Sequence, residues 1–185
     1  MSLPTSIGST PILTLTIANS AVARKPAGSR ERRMDDPFRD IQAFIRFAAI
    51  WLPAEKVTVS QGDLARMARW RNALFEILTA FVNGTTSPAA LAVVNQEAER
   101  ALSIRRISAE LTIEAVVCNG LVELLVGMCL DELEACDPTR LKRCLRRECG
   151  LFFYDKTRNR SARWHAEGPC GWRSRGERRN QDRPE

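Results

Sequence analysis

The sequence has little histidine and no long apolar run. His165 is the only histidine among the 185 residues. No stretch of about 18 uncharged apolar residues occurs, so the sequence predicts no membrane-spanning helix. Glycine-rich dinucleotide loops, phosphate loops and the nucleophile-elbow pattern are also missing. The chain therefore lacks the motifs of a nucleotide-dependent enzyme or an α/β-hydrolase.

Cysteine occurs six times, and its distribution favours metal binding over disulfide bonds. Four of the six lie in the last 50 residues, and three of these share a regular spacing. Cys118, Cys129 and Cys136 are predicted to be thiols of helix faces or loops. This pattern suits the reducing cytoplasm. Residues 11–23 resemble a signal peptide only superficially, because polar residues interrupt them and no positive charge precedes them, so we expect a cytoplasmic, nucleoid-associated protein.

The strongest motif is C-x4-C-x15-H-x4-C, formed by Cys144, Cys149, His165 and Cys170. Two short loops each offer two ligands, which is what a tetrahedral zinc ion needs. Protein would fill all four coordination positions, whereas a catalytic ion keeps one position open for water. We therefore predict one structural Zn²⁺. The alternative is a cluster of buried or reactive cysteines without metal.

The other groups with catalytic chemistry do not predict an enzyme. Asp131, Glu132 and Glu134 lie together at the acidic end of a predicted helix, where a solvated face explains them. A serine–histidine–aspartate arrangement would need His165, which the zinc motif already uses. We predict that the protein is not an enzyme.

The zinc motif lies in a stretch that resembles a known family. The matching elements are Arg140 to Cys144, Cys149-Gly150, Phe152 to Asp155, Arg158 to Ser161, Arg163-Trp164, Cys170-Gly171 and Arg173. Residues 140–173 thereby resemble the CGNR zinc finger of bacterial stress-induced transcription regulators. His165 stands where the family usually has Cys, an exchange that keeps zinc chemistry. Trp172 replaces the Asn of the name-giving motif.

The resemblance implies a regulator with an N-terminal ABATE-type domain, which in the family opens with a strand. Residues 11–135 match that domain only in outline. In the family the segment after Cys170 is usually a basic helix. Here Gly176 and Pro184 weaken the helix, so we expect extended contact with phosphates.

Charge is distributed unevenly along the chain. The net charge is +4 for residues 1–34, −6 for residues 35–138 and +8 for residues 139–185. A basic module beside an acidic body is typical of a nucleic-acid reader joined to a regulatory domain. The predicted nucleic-acid contacts are Lys156, Arg158, Asn159, Arg160, Arg163, Arg173, Arg175, Arg178 and Arg179. Alternatively, Arg158, Asn159 and Arg163 brace the zinc loops.

The remaining elements are predicted from periodicity and caps. The list comprises a strand at 11–18, a helix begun by Asp36-Pro37, a helix with a Ser60/Asp63 capping box that ends at Asn83-Gly84, a helix begun by Ser87-Pro88, a strand or turn at 103–108, the longest helix at 109–135, and a short helix opened by Asp137-Pro138.

These observations together predict an α+β, mainly helical protein. The predicted divisions are a disordered N-terminus at 1–10, an ABATE-like domain at 11–138, a CGNR-like zinc finger at 139–180 and a tail at 181–185. The predicted function is transcription regulation by DNA binding. A zinc-stabilised interaction adaptor and an RNA-binding protein are the alternatives. A homodimer and a small-molecule effector of the N-terminal domain stay open, and no membrane association is expected.

Overall fold

The computed structural model describes residues 10–22, 36–52, 59–85, 87–101, 103–107, 109, 113–117, 120–146 and 148–176. In this part the chain is α+β and mainly helical, as predicted. The elements are α1 (Ile12–Asn19), α2 (Ile41–Trp51), α3 (Gln61–Asn83), α4 (Pro88–Arg100), β1 (Ser103–Ile107), β2 (Ile113–Val117), α5 (Leu121–Ala135), β3 (Leu141–Arg143) and β4 (Phe152–Tyr154). The predicted disordered residues 1–9 and the tail lie outside the described residues.

Helix α3 is the centre of the fold, because α1, α2, α4, α5 and β3 all contact it. The predicted capping box is confirmed, since Ser60 and Asp63 bind each other's backbone N–H groups. The helix ends at Gly84, whose φ of 73° favours glycine. The predicted start of α4 is also confirmed, with Ser87 as N-cap and Pro88 in the first turn. Within the described ranges, no helix is long and apolar enough to cross a bilayer.

The predicted strand at 11–18 is wrong, because these residues form helix α1. The alternation of threonine with apolar residues suggested a strand, but Leu13, Thr14 and Ile17 are buried with helical spacing. Glu132 of α5 accepts hydrogen bonds from the backbone N–H groups of Leu13 (3.0 Å) and Thr14 (2.8 Å). A carboxylate at a helix N-terminus stabilises the helix. This cap comes from 119 residues away in sequence, so local periodicity cannot reveal it.

The helix predicted to begin at Asp36-Pro37 begins at Ile41 instead. Asp40 is its N-cap, because the carboxylate accepts a hydrogen bond from the backbone N–H of Ala43 at 2.7 Å. Asp36 pairs with Arg71 of α3 at 2.6 Å. The same carboxylate accepts from the backbone N–H of Phe38 at 2.8 Å, so Asp36 caps a turn that precedes the helix and not the helix itself.

The predicted long helix at 109–135 is also wrong. Strand β2 occupies part of it and pairs antiparallel with β1, with Ser103 opposite Val117 and Ile107 opposite Ile113. The strand option for residues 103–108 is thereby confirmed for β1. Gly120 is the N-cap of α5 rather than a kink inside a longer helix. Ile113, Val116 and Val117 are β-branched and favour a strand, which the apolar spacing alone did not show.

The second hairpin, β3 with β4, packs on the same core as the helices. Leu141, Phe152 and Tyr154 are buried in one cluster with side chains of α1, α3 and α5. The ring of Phe152 meets that of Phe75 edge-on at 5.1 Å. The C-terminal module is therefore held against the helices by an apolar interface.

Asn19 at the end of α1 fastens this hairpin to the helices. Its side-chain amide donates to the carbonyl of Phe152 at 2.9 Å, and its side-chain oxygen accepts from the N–H of Phe152 at 2.8 Å. The side chain thus satisfies both backbone groups of a residue whose side chain is buried. A buried backbone group left without a partner costs about 1–3 kcal/mol.

We expect Asn19→Ala to lower the free energy of unfolding by about 2–4 kcal/mol, because the variant leaves both groups of Phe152 unpaired. Urea unfolding followed by circular dichroism measures this. Asn95→Ala is the matched control, since Asn95 is an exposed residue of α4, and it should change stability by less than about 0.5 kcal/mol. An equal effect of the two substitutions would contradict the role of Asn19.

Candidate metal centre and nucleic-acid interface

Four metal-ligand side chains converge beside the second hairpin. Cys144, Cys149, His165 and Cys170 place their ligand atoms within 4.8 Å of one another. Nδ1 of His165 lies 3.3 Å from Sγ of Cys149 and 3.6 Å from Sγ of Cys170. The predicted ligand set is therefore brought together, with Nδ1 as the imidazole donor.

The β3–β4 hairpin places the first two ligands. Cys144 follows β3 directly, and its N–H donates to the carbonyl of Leu151 at 2.8 Å, which closes the loop. The N–H of Cys149 donates to the carbonyl of Arg146 at 2.9 Å. Gly150 then takes a φ of 70°, a conformation that favours glycine. The short C-x4-C spacing thus becomes a tight turn with both thiols on one side.

A π-helical turn, Glu167–Trp172, places the last ligand. The carbonyl of Ala166 accepts from the N–H of Cys170 at 3.3 Å and from that of Gly171 at 3.4 Å. A side-chain carbon at Gly171 would lie 2.5 Å from the carboxylate of Glu167. A larger residue here would push the exposed Glu167 carboxylate aside, which a flexible side chain can accommodate.

The distances fit a tetrahedral zinc ion. With Zn–S of about 2.3 Å and Zn–N of about 2.0–2.1 Å, sulfur and nitrogen ligands of one tetrahedron lie about 3.6 Å apart. Burial, together with the neighbouring thiols of Cys144 and Cys170, raises the pKa of the Cys149 thiol to about 12. A bound cation reverses this effect, because a coordinated thiol is deprotonated. The site holds one structural zinc ion.

A buried carboxylate, that of Asp155, organises the turn between the two ligand pairs. The carboxylate accepts from Nζ of Lys142 at 2.6 Å, from the N–H and hydroxyl of Thr157 at 2.9 and 2.6 Å, and from the N–H of Ala162 at 2.9 Å. Burial alone would raise the pKa of Asp155, but these hydrogen bonds outweigh burial and hold it well below its usual value. The turn is therefore built around a charged, fully paired group.

Several cations of the module brace its loops. Arg140 donates to the carbonyls of Asp155 and Thr157, both at 2.9 Å. Lys142 reaches the carbonyl of Arg160 as well as Asp155. Arg146 donates to the carbonyl of Pro169 at 3.2 Å, which links the first ligand loop to the second. Sequence reasoning missed these contacts, because the carbonyl acceptors come from other parts of the fold.

Arg160, a predicted nucleic-acid contact, also takes part in this internal network. Its guanidinium lies 3.0 Å from Asp137 and donates to the hydroxyl of Thr139 at 2.5 Å. Its backbone has a φ of 50°, a left-handed conformation that is uncommon outside glycine. Arg160 therefore ties the turn to the start of the module. The short helix predicted there to carry Arg140, Lys142 and Arg143 is confirmed only as a 3₁₀ turn, Pro138–Arg140, because Lys142 and Arg143 lie in β3.

Arg175 is likewise engaged within the module. Its guanidinium pairs with Glu167 and lies 5.4 Å from the ring centre of Trp164, which is half-buried. Residues 173–176 are helical, so the extended conformation predicted after Cys170 is wrong in the described part. Arg178 and Arg179 lie outside the described residues.

The other predicted contacts are exposed. They are Lys156, Arg158, Asn159, Arg163 and Arg173. Among the described residues, no carboxylate forms an ion pair with the four cations of this set. The alternative that Arg158 and Asn159 brace the zinc loops finds no support in the hydrogen bonds of the described residues. Arg163 contributes its backbone carbonyl, which accepts from Leu145 N–H at 3.0 Å.

The fold and the site together define a zinc finger module fused to a helical body. Residues 140–182 match the family model of the CGNR zinc finger. The match agrees with the ligand cluster and is confined to the C-terminal part of the chain. No curated protein matches the sequence. The ABATE-type identity of the N-terminal part stays a prediction.

Proposed function

We propose that the protein is a transcription regulator that binds DNA through its zinc finger. The observation that carries this proposal is the set of exposed cations without ion-pair partners in the described part of the module: Lys156, Arg158, Arg163 and Arg173. Lysine and arginine neutralise phosphates and release counterions, which drives nucleic-acid binding. The exposed amide of Asn159 adds a group that can read a base edge.

The zinc ion has a structural role in this proposal. Protein supplies four ligands, so the ion has no open position for water or substrate. Its contribution is to hold the turn 155–162 and the π-helical turn in fixed positions, so that the exposed cations form a preorganised surface. We propose on this basis that the protein is not an enzyme.

The helical body is proposed to sense a signal or to dimerise, in line with the resemblance to ABATE-type domains. A groove of about 420 Å³ between α1 and α2 includes Thr16, Ser20, Arg39, Arg46 and Phe47 among its lining residues. It combines cations and hydroxyls with the carboxylate of Asp36 and an aromatic wall. A small polar effector fits a groove of this mixed chemistry.

A protein-interaction adaptor is the second candidate, and one surface favours it. Ile77, Ala80, Phe81 and Leu91 line an apolar groove of about 370 Å³ between α3 and α4. Phe81 is exposed there. Exposed apolar grooves of this kind are used for docking. An adaptor of this kind would bind little nucleic acid at any salt concentration.

Salt dependence tests the DNA-binding proposal. We expect duplex affinity to fall steeply with salt, and the combined substitution of Lys156, Arg158, Arg163 and Arg173 by alanine to flatten the slope of log K against log salt by about 0.9 per lost phosphate contact. Fluorescence anisotropy at several salt concentrations measures both slopes. Because these side chains are exposed, the variant should keep its zinc and its stability.

Arg46→Ala and Arg160→Ala are the control variants. Arg46 is an exposed cation of α2 outside the zinc module, so its loss should leave the slope unchanged. Arg160→Ala should lower stability, because it removes the bonds to Asp137 and Thr139. An unchanged slope in the four-residue variant, with zinc retained, would contradict the assigned interface.

A further inference from the structure

Two large apolar side chains of the zinc module are exposed to solvent. Trp172 is 66% exposed and Leu145 is 64% exposed. Trp70, by contrast, is fully buried, and Trp164 is half-buried beneath the guanidinium of Arg175. Trp172 therefore differs from these tryptophans in being mostly exposed to solvent.

The metal centre fixes the backbone at both positions. Leu145 directly follows Cys144, and Trp172 stands two residues after Cys170. The Sγ atoms of these two cysteines lie within 4.8 Å of each other. Trp172 also ends the π-helical turn, directly after the buried Gly171. Both side chains consequently project from a rigid base, which lowers the entropy lost on binding.

An exposed arginine lies next to each of these two apolar residues at the level of the backbone. Arg173 follows Trp172, and the carbonyl of Arg163 accepts from the N–H of Leu145 at 3.0 Å. Both arginines are exposed, and in the part of the chain that the structure describes neither forms an ion pair. The surface therefore fits a partner with flat apolar faces beside negative charge. Unpaired nucleic-acid bases, with their phosphates, have this chemistry.

A protein partner fits this surface less well. A stable protein interface buries about 800 Å² on each partner around an apolar core. Two separate side chains among cations provide much less apolar area than that. The charge and the small apolar area together favour nucleic acid.

We propose that Trp172 stacks on an unpaired DNA base and that the exposed Arg163 and Arg173 contact phosphates of the same strand. This inference rests on the proposed function and adds the class of DNA, which is single-stranded or locally opened. Any base offers a π-face, and one aromatic stack contributes about 5- to 100-fold in affinity. In an intact duplex the bases already stack on each other. Trp172 can therefore stack on a base there only if two neighbouring base pairs separate.

Binding of the zinc-loaded full chain to two DNAs tests this proposal. The probes are a labelled oligothymidine of about 20 nucleotides, longer than common single-strand site sizes, and a duplex of the same length. We expect Trp172→Ala to weaken oligothymidine binding about 5- to 100-fold and to change duplex binding less than about twofold. Trp172→Phe should keep most of the affinity, because it keeps an aromatic ring.

Ile50→Ala is the control, because Ile50 is 74% exposed on α2 and far from the zinc ligands in sequence. It should bind both DNAs as the wild type does. The stacking proposal is overturned in either of two cases, provided that the wild type binds in a salt-sensitive manner. Either Trp172→Ala keeps its full affinity for oligothymidine, or its affinity falls by the same factor for both DNAs. If the wild type binds neither DNA at any salt, the proposed function itself is overturned. Zinc content is measured for every variant.

Discussion

Protein in which Cys144 is replaced by serine is expected to purify without zinc and with an unfolded zinc module. A module of this size cannot fold on core burial alone. Zinc binding contributes on the order of 10 kcal/mol to small finger domains. Because Leu141, Phe152 and Tyr154 belong to the same core as the helices, the thermal midpoint of the whole protein should fall as well. Elemental analysis and thermal unfolding measure the two effects.

The substitution His165→Cys is the comparison for Cys144→Ser. Sites with four cysteines and sites with three cysteines and one histidine are both common for structural zinc. The variant should therefore keep one zinc per chain, while His165→Ala should lose it. A serine variant at Cys144 that retained a full equivalent of zinc would contradict the ligand assignment.

Replacing Asp155 with alanine is expected to cost about 1–3 kcal/mol of stability, because removal of the buried carboxylate leaves its hydrogen-bond donors without their acceptor. The Asp155 side chain has no solvent exposure, and Lys142 lies 2.6 Å from it. The backbone N–H groups of Thr157 and Ala162 would also lose their acceptor. Urea unfolding at constant zinc measures the change. Asp131→Ala, at an exposed position of α5, should have little effect.

The stability that Asp155 contributes should depend on pH in a defined direction. Its pKa in the folded protein is held below the usual value, which is about 3.9 for an aspartate in an unfolded chain. The contribution is therefore complete above pH ~4 and is lost progressively as the pH falls below that value. The stability difference between wild type and Asp155→Asn should shrink over this range. Release of zinc in acid would unfold the module and abolish the same difference, so zinc content is measured at each pH and only zinc-loaded samples are compared. A difference independent of pH would contradict a charged Asp155.

The structure divides the cations of the zinc module by what their side chains contact. Arg140, Lys142 and Arg160 bind carbonyls, hydroxyls or carboxylates of the module itself. Lys156 and Arg158, in the same turn, are exposed. Substitutions in the first group should therefore act on stability, and those in the second on nucleic-acid affinity. Sequence composition cannot separate the two groups. The charge of a residue does not show which hydrogen-bond acceptors lie near its side chain in the folded protein.

The zinc site was predictable from sequence, because the residues that define it lie close together along the chain. The spacings of Cys144, Cys149, His165 and Cys170 place two ligands on each of two short loops, and zinc chemistry demands four such donors. Helices α3 and α4 were predictable for the same reason, since Ser60 and Ser87 cap the first turn from adjacent positions. In each case the interaction that determines the structure spans only a few residues.

Only the tertiary structure decided the remaining features. Residues 12–19 become a helix because Glu132, far along the chain, caps them. Residues 113–117 become a strand because β1 supplies backbone partners. Arg160 contacts Asp137 because the folded turn brings them together. Sequence by itself determined the ligand chemistry, the charge asymmetry and the locally capped helices. The fold decided which polar groups pair with each other, because long-range partners have no periodicity in sequence.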